Sequence, residues 1–221
     1  MSDPRQVLRY PEVQAEGLED WRFFLMKLHA RFETGSFVKG LELVTRITDA
    51  AEEANHHPDV SLTYPEVIVT LSSHDVGGIT SRDIDLARRI SQYAAELGAE
   101  ADTAGLTQLE PGLDTSSTEL GPFYAALLGG EVSHGEPVDP SGQVPGLWFQ
   151  LPHEEGPKLP ERDLEQRWHF DVWVPVDEGE RRVRAAIEAG GTLVSDAAAP
   201  SYWVLEDADG NRHCVCTRAG R

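Results

Sequence analysis

Residues 52–83 read EEANHHPDVSLTYPEVIVTLSSHDVGGITSRD, and this stretch organises the first half of the chain. His56-His57-Pro58 ends a preceding helical pattern, because a residue before proline is driven out of the α region. Residues 64–72, YPEVIVTLS, then alternate Val67, Val69 and Leu71 against Ile68, Thr70 and Ser72, the pattern of a strand with one face on a core. His74 follows at the strand's exit, and Gly77-Gly78 permits a tight turn. Thr80-Ser81-Arg82-Asp83 has the form of a capping box and predicts a helix with Ile84, Ala87, Ile90, Ala94 and Leu97 inward, running to about Gly98.

Upstream, Trp21 to Thr34, WRFFLMKLHARFET, is dense in aromatic and branched residues with loose alternation, which predicts two short strands or one bent one, ended by Gly35. From Phe37 the apolar residues fall at 37, 41, 44, 47, 51 and 54, a helical spacing, so the histidine pair is expected just past a helix end. Residues 98–105, GAEADTAG, are small and acidic without periodicity. They divide the chain into a first domain, 1–98, a linker, 99–105, and a second domain, 106–221.

The second domain has its own rhythm. FYAALLGGEVS (123–133) and VRAAIEAGGTLVS (183–195) each read as a short helix, a glycine pair and a strand, about 60 residues apart. Further strands are expected at 106–110, 146–151, 167–174, 201–206 and 212–217, with a turn at Asp207-Ala208-Asp209-Gly210-Asn211. The sum is strand, helix and three strands, twice, which suggests an internal duplication. The expected fold class is α+β.

Composition narrows the partners. The 221 residues carry 19 basic and 38 acidic side chains, a net charge of −19, and neither half supplies the clustered Lys/Arg that a phosphate backbone or an anionic membrane demands. The N-terminus, MSDPRQVLRYPEV, has no apolar segment of the signal-peptide kind, and no stretch approaches the ~18 apolar residues of a membrane span. A cytoplasmic protein is expected, with no nucleic-acid or membrane partner. Cys214 and Cys216, two apart in an expected strand, have the wrong geometry for a mutual disulfide and are read as reduced core residues.

In the first domain, Ala51-Glu52, His56-His57-Pro58, Tyr64, Ser73-His74, Gly78 and Thr80 to Asp83 follow one another in an order that resembles the pterin-4a-carbinolamine dehydratase family. The resemblance extends upstream through Phe32, Phe37 and FVKGLELVTRI, and covers roughly residues 18–98. It implies antiparallel strands backed by helices, and dehydration of a 4a-hydroxy-tetrahydropterin (4a-hydroxytetrahydrobiopterin dehydratase activity) to the quinonoid dihydropterin, with no redox cofactor or metal. Relatives of this kind self-associate through their helices, which implies a homo-oligomer.

Histidine suits that chemistry. Hydroxide is a poor leaving group, so C4a–OH needs a proton donor while N5–H loses a proton, and imidazole serves either task near neutral pH. A helix C-terminus also favours imidazolium. The resemblance implies catalytic roles for His56, His57 and His74, with His57 and His74 facing each other across the pterin and His56 closer to binding or orientation; which is acid and which is base stays open. Glu52, one turn before His56, is placed to orient an imidazole. The pterin-contacting segments correspond to Asn55, His56 and His57 and to Ser72, Ser73, His74 and Asp75; Asn55 stands where many members have Asp, and Asp75 where Glu is common. A rival reading, three histidines on zinc, asks adjacent residues to ligate one metal, a poor geometry.

Residues 104–217 resemble the glyoxalase-like members of the vicinal oxygen chelate superfamily, through Asp114, Phe123 to Gly129, Gly146 to Gln150, Gln166 to Asp171 and Asp207 to Cys214. That superfamily's enzymes hold a divalent metal with His, Gln or Glu from the first, middle and last strands. Here His169 occupies the fifth-strand position, Cys214 stands where glutamate is usual, and the first strand offers Thr107 or Gln108, so the set is incomplete. The competing readings are a structural His169 tied to Asp171 or a neighbouring backbone group, and a salt-bridged Arg167–Asp171 pair. Two rivals to the dehydratase follow: a metal-dependent lyase or dioxygenase in the second domain, and a non-catalytic pterin-binding or dimerisation module.

Overall fold

The structure is a computed structural model that describes residues 3–115, 119–128, 130–142, 144–150, 165–208 and 210–220. The chain forms two compact units, Met1–Leu106 and Thr107–Arg221. Among the described residues, no helix is long and apolar enough to cross a membrane.

The first unit is α+β. After a short helix α1 (Tyr10–Ala15), strands β1 (Arg22–Phe24) and β2 (Lys27–Glu33) form a hairpin through Leu25 and Met26, both with positive φ. The two short strands expected in Trp21–Thr34 are therefore present, joined by the left-handed two-residue turn that matches strand twist. Helix α2 (Phe37–Ala54), strands β3 (Asp59–Leu62) and β4 (Glu66–Leu71), helix α3 (Ser81–Glu96) and strand β5 (Glu100–Ala101) follow. The antiparallel sheet runs β1-β2-β4-β3, with β5 on β2. Val67, Val69 and Leu71 of β4 and Ala30 and Phe32 of β2 are fully buried with Leu43, Ile47 and Ala50 of α2 and Ile84, Ala87 and Ile90 of α3.

Three features differ from expectation. Residues 59–62, past Pro58, form β3 and pair with β4. The segment 99–105 does not act as a linker along its whole length: Glu100 and Ala101 pair with Glu33 and Phe32, and Asp102 Oδ2 accepts from Arg31 Nη1 at 3.0 Å. A strand partner only two residues long leaves no periodicity to read. In α2, the face that packs is Gly40, Leu43, Ile47, Ala50 and Ala51, whereas Phe37, Val38 and Leu41 are 52%, 78% and 53% exposed. The helix is apolar on two sides, so a 37/41 spacing marks the helix without marking its core face.

The second unit repeats strand, helix and three strands. The first set is β6 (Gln108–Asp114), α4 (Gly121–Leu128), β7 (Glu131–Ser133), β8 (Glu136–Val138) and β9 (Trp148–Gln150). The second is β10 (Trp168–Trp173), α5 (Gly179–Glu188), β11 (Thr192–Ser195), β12 (Tyr202–Glu206) and β13 (Arg212–Cys216). The sheet order is β11-β12-β13-β10-β6-β9, with β7 and β8 as a separate hairpin. The two leading strands, β6 and β10, pair antiparallel at the centre, and each is flanked in parallel by the last strand of its own repeat. β6 runs past Pro111, beyond the expected end at 110; β9 joins only from Gly112, so a missing N–H at Pro111 costs no ladder bond. Cys214 and Cys216 are free thiols. Gly129, Leu151 and Asp209, within the expected helix, strand and turn, lie outside the described residues.

Candidate active site

Asp59 of β3 pairs with Thr70 of β4 at one end of the ladder, and residues 55–57 lead into that end while residues 72–74 lead out of it. Each half of the site is held by local chemistry. α2 ends at Asn55, whose φ of 48° and ψ of 44° are left-handed, a conformation asparagine tolerates. The His56 amide donates to Ala51 O at 3.0 Å, which reverses the chain. On the other side, the Ser73 amide donates to Gly78 O at 2.8 Å and closes the turn that carries His74 and Asp75.

The chain reversal sends the two adjacent histidines to opposite environments. The His56 side chain is 7% exposed and its Nε2 lies 2.8 Å from Asp83 Oδ1. Asp83 is fully buried, and its Oδ2 accepts from Ser73 Oγ at 2.6 Å and from the Thr80 amide at 2.8 Å. Burial pushes the Asp83 carboxyl up, but hydrogen bonds from His56, Ser73 and Thr80 outweigh it and hold the group below its ordinary range. An ionised carboxylate only accepts, so His56 Nε2 is the donor. The capping box expected at Thr80–Asp83 is present. Its acid also ties the start of α3 to the end of α2 and the exit of β4, and sequence reasoning missed that second task.

The remaining side chains face outward. His57 Nε2 and Glu52 Oε1 are 3.1 Å apart, with side chains 56% and 73% exposed, so Glu52 meets His57 rather than His56 and the contact is weak. His74 is exposed and makes no hydrogen bond among the described residues. Asp75 accepts from Arg82 Nη2 at 2.7 Å, the main cause of its lowered pKa, with Arg5 also nearby. Ser72 is half-buried and Asn55 exposed. Ser73, a candidate pterin contact, has its hydroxyl, amide and carbonyl engaged inside the protein. The His56 side chain is likewise buried behind the surface.

In the second unit, Gly112 of β6 pairs with His169 of β10 and with Trp148 of β9, which puts these residues side by side on the sheet face turned away from α4 and α5. His169 Nδ1 is 3.9 Å from Asp114 and its Nε2 3.8 Å from Asp171, contacts at ion-pair range that are longer than hydrogen bonds. Arg167 Nε donates to Asp114 O at 3.3 Å. Thr107 accepts from Arg182, and Gln108 pairs with Trp173. Among the described residues no three His, Cys, Asp or Glu side chains are grouped to hold a metal.

An antiparallel sheet with two helices on one face and histidines gathered at one end of β3 and β4 defines a pterin dehydratase-like domain, here followed by a sheet-rich duplicated one. Two families match: pterin 4 alpha carbinolamine dehydratase over residues 7–93 and glyoxalase-like domain over residues 113–216. Curated relatives are named pterin-4-alpha-carbinolamine dehydratases by inference. One from Thermosynechococcus vestitus is 43% identical over 83 residues, 38% of this chain and 87% of its own. Others are from Nostoc punctiforme, 39% identical over 39% of this chain and 96% of its own, and Nocardia farcinica, 42% identical over 36% and 83%. A solved transcriptional coactivator/pterin dehydratase from Brucella melitensis aligns at 26% identity and TM-score 0.39, over 40% of this chain and 99% of its own. Through its first unit, the chain belongs to the pterin-4a-carbinolamine dehydratase family.

Proposed function

We propose that the first unit removes water from a 4a-hydroxy-tetrahydropterin by general acid–base catalysis, with His57 and His74 as the proton-transferring groups. As the C4a–O bond breaks, one imidazolium delivers a proton to the departing hydroxide. The other imidazole takes the N5 proton as the C4a=N5 bond forms, and the products are water and the quinonoid dihydropterin. Both side chains are exposed and able to exchange protons with solvent, whereas His56 is locked to an anion. The observation that carries this reading is the buried His56–Asp83–Ser73–Thr80 network, which fixes to one another the two segments bearing His57 and His74. Asn55, Ser72 and Asp75 stand at the rim as substrate-binding candidates, and Glu52 as an orienting group for His57.

The test is the breakdown rate of 4a-hydroxytetrahydropterin with the full chain. General acid–base groups contribute roughly 10²–10⁴-fold, so His57→Ala and His74→Ala are each expected to lower kcat by about 100-fold or more. Unchanged rates in both would end the proposal.

A second reading, self-association, is favoured by the exposed Phe37, Val38 and Leu41 on α2, side chains that a monomer leaves in water. Light scattering on Leu41→Asp beside the wild type tests it, with a smaller assembly expected in the variant.

A further inference from the structure

Two polar atoms beside His169 lack what buried polar atoms normally have. Asp114 Oδ1, an acceptor, and Trp148 Nε1, a donor, are both shielded from water and neither has a hydrogen-bond partner among the described residues. Both side chains flank the His169 ring: Asp114 approaches it to 3.9 Å, and the Trp148 and His169 rings meet edge to face at 5.4 Å. Gly112 is what lets them gather, because a Cβ there would lie 2.5 Å from His169 Cε1 and 3.1 Å from Trp148 Cε2. The Asp114 side chain is 44% exposed, so its carboxylate is reachable from solvent, and turning about its last, broad torsion exchanges the two oxygens.

The chemistry of these groups restricts the ligand. Asp114, Asp171 and Glu110 leave this face net acidic even with the Arg167 guanidinium on the Asp114 carbonyl, which disfavours phosphates and carboxylates. An ammonium ion would satisfy the carboxylate and leave the indole N–H unpaired. A ligand that answers both atoms must donate N–H groups to the carboxylate and offer an acceptor to the indole, and a flat ring packs best against Trp148. A 2-amino-4-oxopyrimidine edge does this, its ring N–H and exocyclic amine forming a paired donor and its carbonyl the acceptor.

We propose that this face of the second unit binds a 2-amino-4-oxopyrimidine heterocycle, the class to which pterins belong, at a site separate from the histidines of the first unit. The site needs no catalytic step and does not rest on the dehydration reading.

Calorimetric titration of the full chain with unsubstituted pterin tests it, with lumazine, which carries a carbonyl in place of the 2-amino group, as the comparison. Two equivalents of pterin are expected for the wild type. Asp114→Asn and Trp148→Phe should each weaken one of them by at least about tenfold, the loss that follows when one hydrogen bond to a charged or buried group is removed. Dehydration turnover should be retained in both, and lumazine should bind this site at least about tenfold more weakly than pterin. A wild type with no equivalent that both substitutions weaken overturns the proposal. If Asp114→Asn fails to fold, Trp148→Phe decides alone. In His57→Ala/His74→Ala protein, an equivalent that is lost on adding Asp114→Asn supports this site even where turnover contradicts the dehydration reading.

Discussion

Both units set an imidazole among aspartates, and they finish the arrangement differently. In the first, His56 and Asp83 are 2.8 Å apart, and Asp83 takes further hydrogen bonds from Ser73 and Thr80 in full burial. In the second, His169 stands 3.8–3.9 Å from Asp171 and Asp114, and an acceptor and a donor beside it have no hydrogen-bond partner among the described residues. A closed network cannot take up a ligand without breaking its own bonds, so it serves as a frame. An open one has capacity to spare. The histidine pair that sequence marks most strongly, in the His-His-Pro element, is thus divided between a buried His56 held in the frame and an exposed His57.

The comparison breaks if Asp83 proves dispensable. Removing one partner of a buried pair strands the other, so Asp83→Ala should destabilise the first unit by about 3–5 kcal/mol in urea denaturation. A change of less than ~1 kcal/mol would mean that the network is not a frame.

A second, similarly sized effect lies in the same sheet. His29 of β2 is stacked on Phe24 at 4.4 Å, and burial lowers its pKa from 6.5 to about 4. A base with a depressed folded pKa takes up its proton more readily when unfolded, so stability falls as pH drops from 6.5 towards 4, by about 3 kcal/mol once below both values. Asp83, an acid with a lowered pKa, loses its contribution only on further acidification, below its ordinary 3.8. Denaturation of His29→Phe at pH 7 and pH 4.5 should show a flatter dependence than the wild type; an unchanged slope would remove His29 as the cause.

The smallest effect sharpens the contrast from the other side. Asp114→Asn alters a carboxylate whose buried oxygen accepts no hydrogen bond among the described residues, and its unfolding free energy should stay within about 0.5 kcal/mol of wild type. A loss comparable to that of Asp83→Ala would show that Asp114 belongs to a closed network after all.

How much was readable depends on the kind of signal. Alternation in Val67, Val69 and Leu71 survives as a fully buried strand face, and the Thr80–Asp83 cap is present at the start of α3. β3 was missed because Asp59-Val60-Ser61-Leu62 is mostly exposed and owes its strand form to β4. β5 was missed for the same reason, since two residues count as a strand only beside β2. The outward face of α2 could not be told from the inward one, because both are apolar and only packing against α3 and β4 chooses between them.

Local rules, which act between neighbours in the chain, specify the helices, the β4 alternation, the duplicated rhythm of the second half and the histidines able to move protons. Tertiary structure decided which of those histidines is sealed on Asp83 and which meet solvent, and it brought Gly112, Asp114, Trp148 and His169 together from three strands. Those outcomes depend on strand register and on the left-handed turn at Asn55, and one residue's shift in either would turn each side chain to the opposite face.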